Sequence, residues 1–136
     1  MYTHHPRSDL ETDPSTHKPI GTMPEMNKED CEMAIQAAAD ALPSFRKTTP
    51  RQRARMLRKW FDLMNENAED IAKLITWENG KPMADAKGEA AYAAGFFEWF
   101  AEEAPRAYGD VIAATVPGNR IFTLKEPIGV CGLITP

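Results

Sequence analysis

A few residue types in this chain carry chemistry of their own, and cysteine comes first. Cys131 is the tempting nucleophile, since a thiolate can attack a carbonyl carbon when its surroundings are positive and it is partly exposed. Cys131 stands between Val130 and Gly132 in apolar sequence, with no histidine near it. It therefore reads as a buried, inert thiol. Cys31 lies far from it in sequence, so the pair makes no disulfide framework and suits a reducing compartment. The histidines are His4, His5 and His17. They lack a supporting cysteine or a ligand spacing, and no metal site is predicted. Beyond residue 17, general-base work must fall to some other group.

Glu98 and Glu102 stand four apart, on one face of a predicted helix. Paired carboxylates can share acid and base work, but a solvated face is the simpler role here. In the same helix Tyr92, Phe96, Trp99 and Phe100 share a stripe, with Phe97 beside it. This face has two readings: a core helix packed on both sides, or a wall of a ligand tunnel. Arg46, Lys47, Arg51, Arg53, Arg55, Arg58 and Lys59 form a run without an acid. Phosphate or nucleic-acid contact is one reading of it. The other, preferred because Asp62 to Glu103 is strongly acidic, is a solvated face that pairs with the helices after it. No Gly-x-Gly-x-x-Gly, phosphate-binding loop or Ser-His-Asp set is present.

The elements that must position these residues are mostly helical. Asn27 can cap a helix running to about Ala41, with Asp30 in its first turn and Pro43 as its stop. Cys31, Ile35, Ala38 and Leu42 make its apolar face. Thr49, Pro50 and Gln52 form a capping box with proline at the first helical position. Ala54, Leu57, Phe61 and Met64 then form the buried face, with Trp60 beside it. A third helix is predicted over Ala68 to Glu78, with Ile71, Leu74 and Ile75 inward and Gly80 as a left-handed terminator. A fourth runs from Pro82 to about Ala104.

After Gly109 the period changes to two. Val111 to Val116 and Arg120 to Lys125 are expected to pair as a hairpin across Pro117-Gly118-Asn119. Ile128 to Thr135 is nearly continuous apolar sequence, the pattern of a strand buried on both faces of a parallel sheet. Residues 1–26 hold Pro6, Pro14, Pro19 and Pro24 and few aliphatics. They read as an extended or disordered segment ahead of a folded region over 27–136.

Bulk properties agree with a globular chain. It has 136 residues, 43% of them hydrophobic and 26% charged, and a net charge of −4. That balance argues against a nucleic-acid binder. No run approaches the ~20 apolar residues of a membrane span. The first thirty residues offer neither a secretory core nor an arginine-rich, acid-poor leader. A cytoplasmic location is expected, with the mitochondrion as the alternative.

Several stretches together resemble the aldehyde dehydrogenase superfamily. Phe45-Arg46-Lys47-Thr48-Thr49-Pro50-Arg51-Gln52-Arg53 is similar to the opening of one of its helices. Glu78-Asn79-Gly80-Lys81-Pro82 resembles its Glu-x-Gly-Lys-Pro signature. Glu126 to Pro136 resembles the segment that leads into its cofactor domain, and the likeness covers about residues 28–136. Asp13-Pro14-Ser15-Thr16 and Pro19-Ile20-Gly21 resemble a less specific upstream segment. The family's usual opening hairpin finds no counterpart in residues 1–11. Lys59 to Met64, Glu98 to Ala104 and Tyr108-Gly109-Asp110 are similar to the succinate-semialdehyde dehydrogenase branch.

The resemblance implies an α/β fold: about four helices of the N-terminal, cofactor-binding domain, then a β-hairpin and the first buried parallel strand, with the remainder cut off. It implies NAD or NADP as cofactor and a small aldehyde as substrate, succinate semialdehyde within 4-aminobutyrate catabolism. Homo-oligomers are common in the full-length family, and neither a nucleic-acid nor a membrane partner is implied. Ile134, Thr135 and Pro136 match the start of a loop that approaches the dinucleotide. Tyr92 and Phe96 match a helix that lines the aldehyde tunnel. The family's chemistry uses a cysteine thiolate that adds to the aldehyde, an asparagine and a backbone N–H that hold the oxyanion, and a glutamate that activates water. None of these maps onto a position of this chain, and Cys131 does not occupy the nucleophile's motif. The chain alone is therefore expected to be inactive. An alternative from another class is a non-catalytic helical module that pairs with a full-length relative through its open strand. A third reading, a basic-helix nucleic-acid binder, is disfavoured by the acidic second half.

Overall fold

Local signals start and stop the helices, and a computed structural model, which describes residues 8–135, shows them at work. Asn27 caps α1 (Lys28–Phe45): its side chain accepts from the Asp30 N–H at 3.0 Å, and Asp30 accepts in return from the Asn27 N–H at 2.9 Å. Thr49 caps α2 (Pro50–Glu66) in the same reciprocal way with Gln52. Such boxes satisfy amide groups that have no partner inside the helix. α3 (Ala68–Asn79) ends at Gly80, whose φ of 73° is left-handed. A side chain there is doubly opposed, because its Cβ would also lie 3.1 Å from Pro14 Cγ. α4 (Met83–Glu103) follows and runs into a short 3-10 turn over Ala104–Arg106.

Pro43 does not stop α1, contrary to expectation. It lies in the last turn, and the helix continues to Phe45. Missing one N–H is tolerable there, and the Ser44 hydroxyl and the Arg46 N–H close the turn on the Ala41 and Leu42 carbonyls.

The N-terminal segment is also more ordered than its prolines suggest. β1 (Ser8–Thr12) pairs antiparallel with β2 (Pro19–Pro24), in register Asp9↔Met23 and Leu10↔Thr22. This supplies the opening hairpin that the sequence lacked a motif for. Its prolines fall where a ladder amide is dispensable: Pro14 in the turn, Pro19 and Pro24 at the two ends of β2. The connecting turn is tied by Asp13. Its carboxylate accepts from the Ser15 N–H and hydroxyl, both at 2.7 Å, and from the Thr16 hydroxyl at 2.9 Å.

Those donors, the Ser15 hydroxyl foremost, pull the Asp13 carboxyl from its ordinary 3.8 down to about 2. A carboxylate held below its unfolded value stabilises the folded turn at neutral pH. That contribution begins to fade as pH falls through the unfolded value near 3.8 and is gone below about 2. The expected observation is a loosening of the 13–18 turn over that window, followed by the Ser15 and Thr16 amide shifts. In Asp13→Asn the window disappears.

The packed centre consists of alanines. Ala72 of α3 and Ala86, Ala90, Ala94 and Ala101 of α4 are buried. At about 100° per residue, the four alanines of α4 fall within one narrow arc with Phe97. That arc faces α2 and α3, the helices that α4 packs on. Small side chains allow the helices to approach closely, since interaxial distance follows the residues at the contact. Tyr92, Phe96, Trp99 and Phe100 fall outside that arc, on the exposed side of α4. The aromatic stripe is therefore not the core within this chain: Tyr92 and Trp99 are 69% and 62% exposed. Leu74 likewise turns outward, and Ala72 takes the inward place on α3. On α2, Ala54, Leu57, Phe61 and Met64 form the half-buried face, and Trp60 stacks against Phe97 with ring centroids 5.0 Å apart.

The C-terminal hairpin is shorter than expected. β3 (Val111–Ile112) pairs with β4 (Ile121–Phe122), in register Val111↔Phe122 and Ile112↔Ile121. It is closed next to Gly109, where a Cβ would overlap the Thr123 carbonyl. The architecture is thus α/β, four helices and then a hairpin. The expected buried strand over 128–135 has no strand partner among the described residues, and Ile128, Leu133 and Ile134 are exposed. The pattern calls for neighbours on both faces, and the two sheets formed by the described residues have two strands each. No helix among them is long and apolar enough to cross a membrane.

Candidate functional site

The outer face of α4 is where chemistry-bearing residues gather. The four-residue spacing of Tyr92 and Phe96 sets both on one side of the helix. Their rings meet edge to face, with centroids 4.8 Å apart and planes at 78°. This arrangement suits the aromatic quadrupole and holds both rings as one wall. Phe96 is 47% exposed, so the wall is open to a ligand or to another surface.

One turn further on, Glu98 and Glu102 do not act as an acid–base pair. Both are engaged by Arg58 of α2. Nη1 donates to Glu98 Oε1 at 3.0 Å and Nη2 to Glu102 Oε1 at 3.1 Å. The Glu98 hydrogen bond leads in holding the guanidinium protonated, partial desolvation works against it, and Glu102 assists. Arg58 also lies over the Phe61 ring, 5.3 Å from its centroid. This is a clamp between α2 and α4. The basic run alone does not single out Arg58. Its signal is the match between one arginine and a pair of carboxylates four apart.

The rest of the basic run does not pair with the acidic helices as expected. Arg46 reaches Glu126 at 3.2 Å, and Arg53 donates to the Thr48 carbonyl. Arg51, Arg55 and Lys59 lie exposed on the outer side of α2. The acidic helices instead draw on their own lysines: Lys87 on Glu69 at 2.8 Å, Lys73 on Asp70 at 3.0 Å, and Lys81 on Glu89.

The Arg46–Glu126 pair leads to a second feature. Gly129, Val130 and Cys131 face Ala38, Ala41, Leu42 and Phe45 of α1 across a shallow apolar cleft of about 300 Å3. Cys131 is exposed rather than buried, and its thiol approaches only the Gly129 carbonyl, at 3.8 Å. Ile134 and Thr135 lie past this cleft with both side chains exposed. Pro136, His4 and His5 lie outside the described residues. Among the described residues no three His, Cys, Asp or Glu side chains gather as a metal site.

Comparison with known proteins joins these pieces. The family profile described as "Aldehyde dehydrogenase family" matches residues 5–136. The glutarate-semialdehyde dehydrogenase of Pseudomonas putida is 53% identical over 125 residues, which is 92% of this chain and 26% of that protein. The succinate-semialdehyde dehydrogenase [NADP(+)] of Escherichia coli is 48% identical over 125 residues, again 92% and 26%. In solved structures, the succinate-semialdehyde dehydrogenase of Burkholderia pseudomallei superposes with a TM-score of 0.86 at 46% identity, over 92% of this chain and 26% of that one. The chain thus spans about a quarter of the length of the curated relatives it matches. Members of this family bind NAD or NADP. A profile match over nearly the whole chain, and a helical fold shared with a solved relative, lead to one conclusion: the chain belongs to the aldehyde dehydrogenase family.

Proposed function

We infer that the chain is the N-terminal, helical part of the cofactor-binding domain of an NAD(P)-dependent semialdehyde dehydrogenase. The observation that carries this reading is its likeness, over nine-tenths of its length, to enzymes named for succinate and glutarate semialdehyde. The substrate is an aliphatic aldehyde with a carboxylate at its far end. Succinate semialdehyde, oxidised to succinate in the breakdown of 4-aminobutyrate, is the first reading, on the branch motifs of residues 59–64 and 98–104. Glutarate semialdehyde, one methylene longer, is the second, favoured by the higher identity of 53% against 48%.

In this reading Tyr92 and Phe96 form one wall of the passage to the aldehyde site. Their faces offer apolar contact to the methylene chain and keep water from it. Arg58 holds the helix that carries them, through Glu98 and Glu102. Ile134, Thr135 and Pro136 lie along the dinucleotide. An exposed apolar side chain followed by an exposed hydroxyl suits such a segment, and Ile134 and Thr135 offer both. The nicotinamide, when bound, supplies the hydride acceptor.

The test places this chain in a hybrid with the unmatched three-quarters of the Pseudomonas putida relative. Reduction of NAD or NADP that depends on either semialdehyde is expected. Tyr92→Ala with Phe96→Ala should shift the ratio of kcat/KM for the two aldehydes by about tenfold, the scale of one methylene in an apolar pocket. An unchanged ratio sinks the tunnel role. No turnover with either aldehyde sinks the substrate class.

A further inference from the structure

The outer side of α2 carries a row of charges that no other described residue answers. Arg55, Lys59, Asp62 and Glu66 are spaced four, three and four residues apart. At about 100° per residue they fall within an arc of about 60°, one row along the helix. The first half of the row is basic and the second half acidic. Arg51 extends the basic half by one more turn. All five side chains are exposed. Arg58, on the inner side, is paired with Glu98 and Glu102. None of the five outer charges has an ion pair or a side-chain hydrogen bond to a described residue.

The half-buried face of α2, with Ala54, Leu57, Phe61 and Met64, lies on the opposite side of the helix. A row of ionised side chains cannot be covered by apolar chain without a large desolvation cost. It needs either water or a matching set of charges.

The row itself provides that set. Reversed end to end, it exchanges its signs. Two copies of α2 laid antiparallel, row against row, are related by a two-fold axis level with the Trp60–Phe61 peptide. Arg55 of one copy then lies opposite Glu66 of the other, and Lys59 opposite Asp62. The two-fold repeats both pairs. A parallel pairing in the same register sets like charges together, which is destabilising. A polyanion such as nucleic acid matches Arg55 and Lys59 but is repelled by Asp62 and Glu66. Met56 and Leu63 stand exposed along one flank of the row. The antiparallel arrangement sets Met56 of one copy about 3 Å along the axis from Leu63 of the other, two steps of helical rise. Apolar contact thus adjoins the ion pairs.

We propose that the outer face of α2 is a self-complementary docking surface, and that its occupant is a second copy of this chain, antiparallel across a two-fold axis. The proposal does not depend on the activity or substrate inferred above. The row from Arg55 to Glu66 is only about 16 Å long, so the contact belongs with small, transient interfaces.

Sedimentation equilibrium of the 136-residue chain over about 10 µM to 1 mM, the range of weak association, tests it. Reductant is present because Cys31 and Cys131 are exposed. A monomer–dimer equilibrium that weakens with added salt is expected. Arg55→Glu with Lys59→Glu makes the row wholly acidic, and Asp62→Lys with Glu66→Lys makes it wholly basic. Each variant alone should dimerise at least about tenfold more weakly, because like charges then face one another. An equimolar mixture should restore a dimer of one copy of each, resolved by native mass spectrometry. Lys59→Glu alone and Asp62→Lys alone repeat the comparison if a double variant loses its helical circular dichroism. A wild-type chain that stays monomeric overturns the proposal. So does association that ignores the sign changes or strengthens with salt, since it then runs through another surface. Failure of the mixture to dimerise overturns it as well, as does a monomeric chain that binds duplex DNA through the basic half.

Discussion

Replacing Ala90 with aspartate is expected to unfold the packed unit of α2, α3 and α4. Ala90 is 3% exposed and lies in the arc of α4 that faces α2 and α3. A carboxylate there would be desolvated without a partner, since the arginine nearest in kind, Arg58, is already engaged by Glu98 and Glu102. An uncompensated buried charge costs roughly 3–5 kcal/mol. Whole domains are stable by about 5–15 kcal/mol, and a core built of alanines lies toward the lower end of such a range. Urea unfolding followed by circular dichroism should show the helical transition lost or moved to very low denaturant. Ala91→Asp, one residue on and exposed, provides the contrast, with a change within about 0.5 kcal/mol. Equal effects at the two positions would show that the alanine arc is not the packed face.

The 136-residue chain alone should form no NAD(P)H from succinate semialdehyde. Aldehyde oxidation by covalent catalysis needs an activated thiolate and donors aimed at the developing oxyanion. The thiol of Cys131 points its one hydrogen-bond contact at the Gly129 carbonyl, 3.8 Å away, an acceptor that activates no nucleophile. Cys31 is exposed on α1. The paired carboxylates that might have moved protons are held by Arg58. Reduced-nicotinamide absorbance should therefore not rise above a buffer blank. A rise that Cys131→Ser removes would identify Cys131 as a nucleophile and overturn this account.

Much of the helical layout is legible in the sequence. The capping boxes at Asn27 and Thr49 are local hydrogen-bond arrangements, and both form as their spacing predicts. Gly80 ends α3 because only the left-handed region closes that turn without strain, again a local matter. The hairpin at 8–24 is not legible in the sequence, because prolines generally disfavour strand pairing. The prolines of β2 occupy its ends, where a missing amide is harmless. α1 likewise runs past the proline that the sequence offers as its stop, since Pro43 is tolerated in a last turn.

The candidate site divides in a similar way. That Tyr92 and Phe96 share a face follows from their spacing, and the family follows from short motifs spread over the chain. Which side of α4 turns inward does not follow from composition. Size and hydrophobicity favour the aromatics as core, yet the alanines are buried, because they alone permit α2, α3 and α4 to come close. The role of Arg58 is equally invisible in sequence, since its carboxylate partners are 40 and 44 residues away. The amino-acid sequence alone thus determined the capped helix starts at Asn27 and Thr49, the turn at Gly80 and the family, all carried by contacts a few residues apart or by recurring motifs. The tertiary structure alone decided the alanine core, the Arg58 clamp and the exposure of Ile128 to Ile134, because each depends on what distant segments bring into reach.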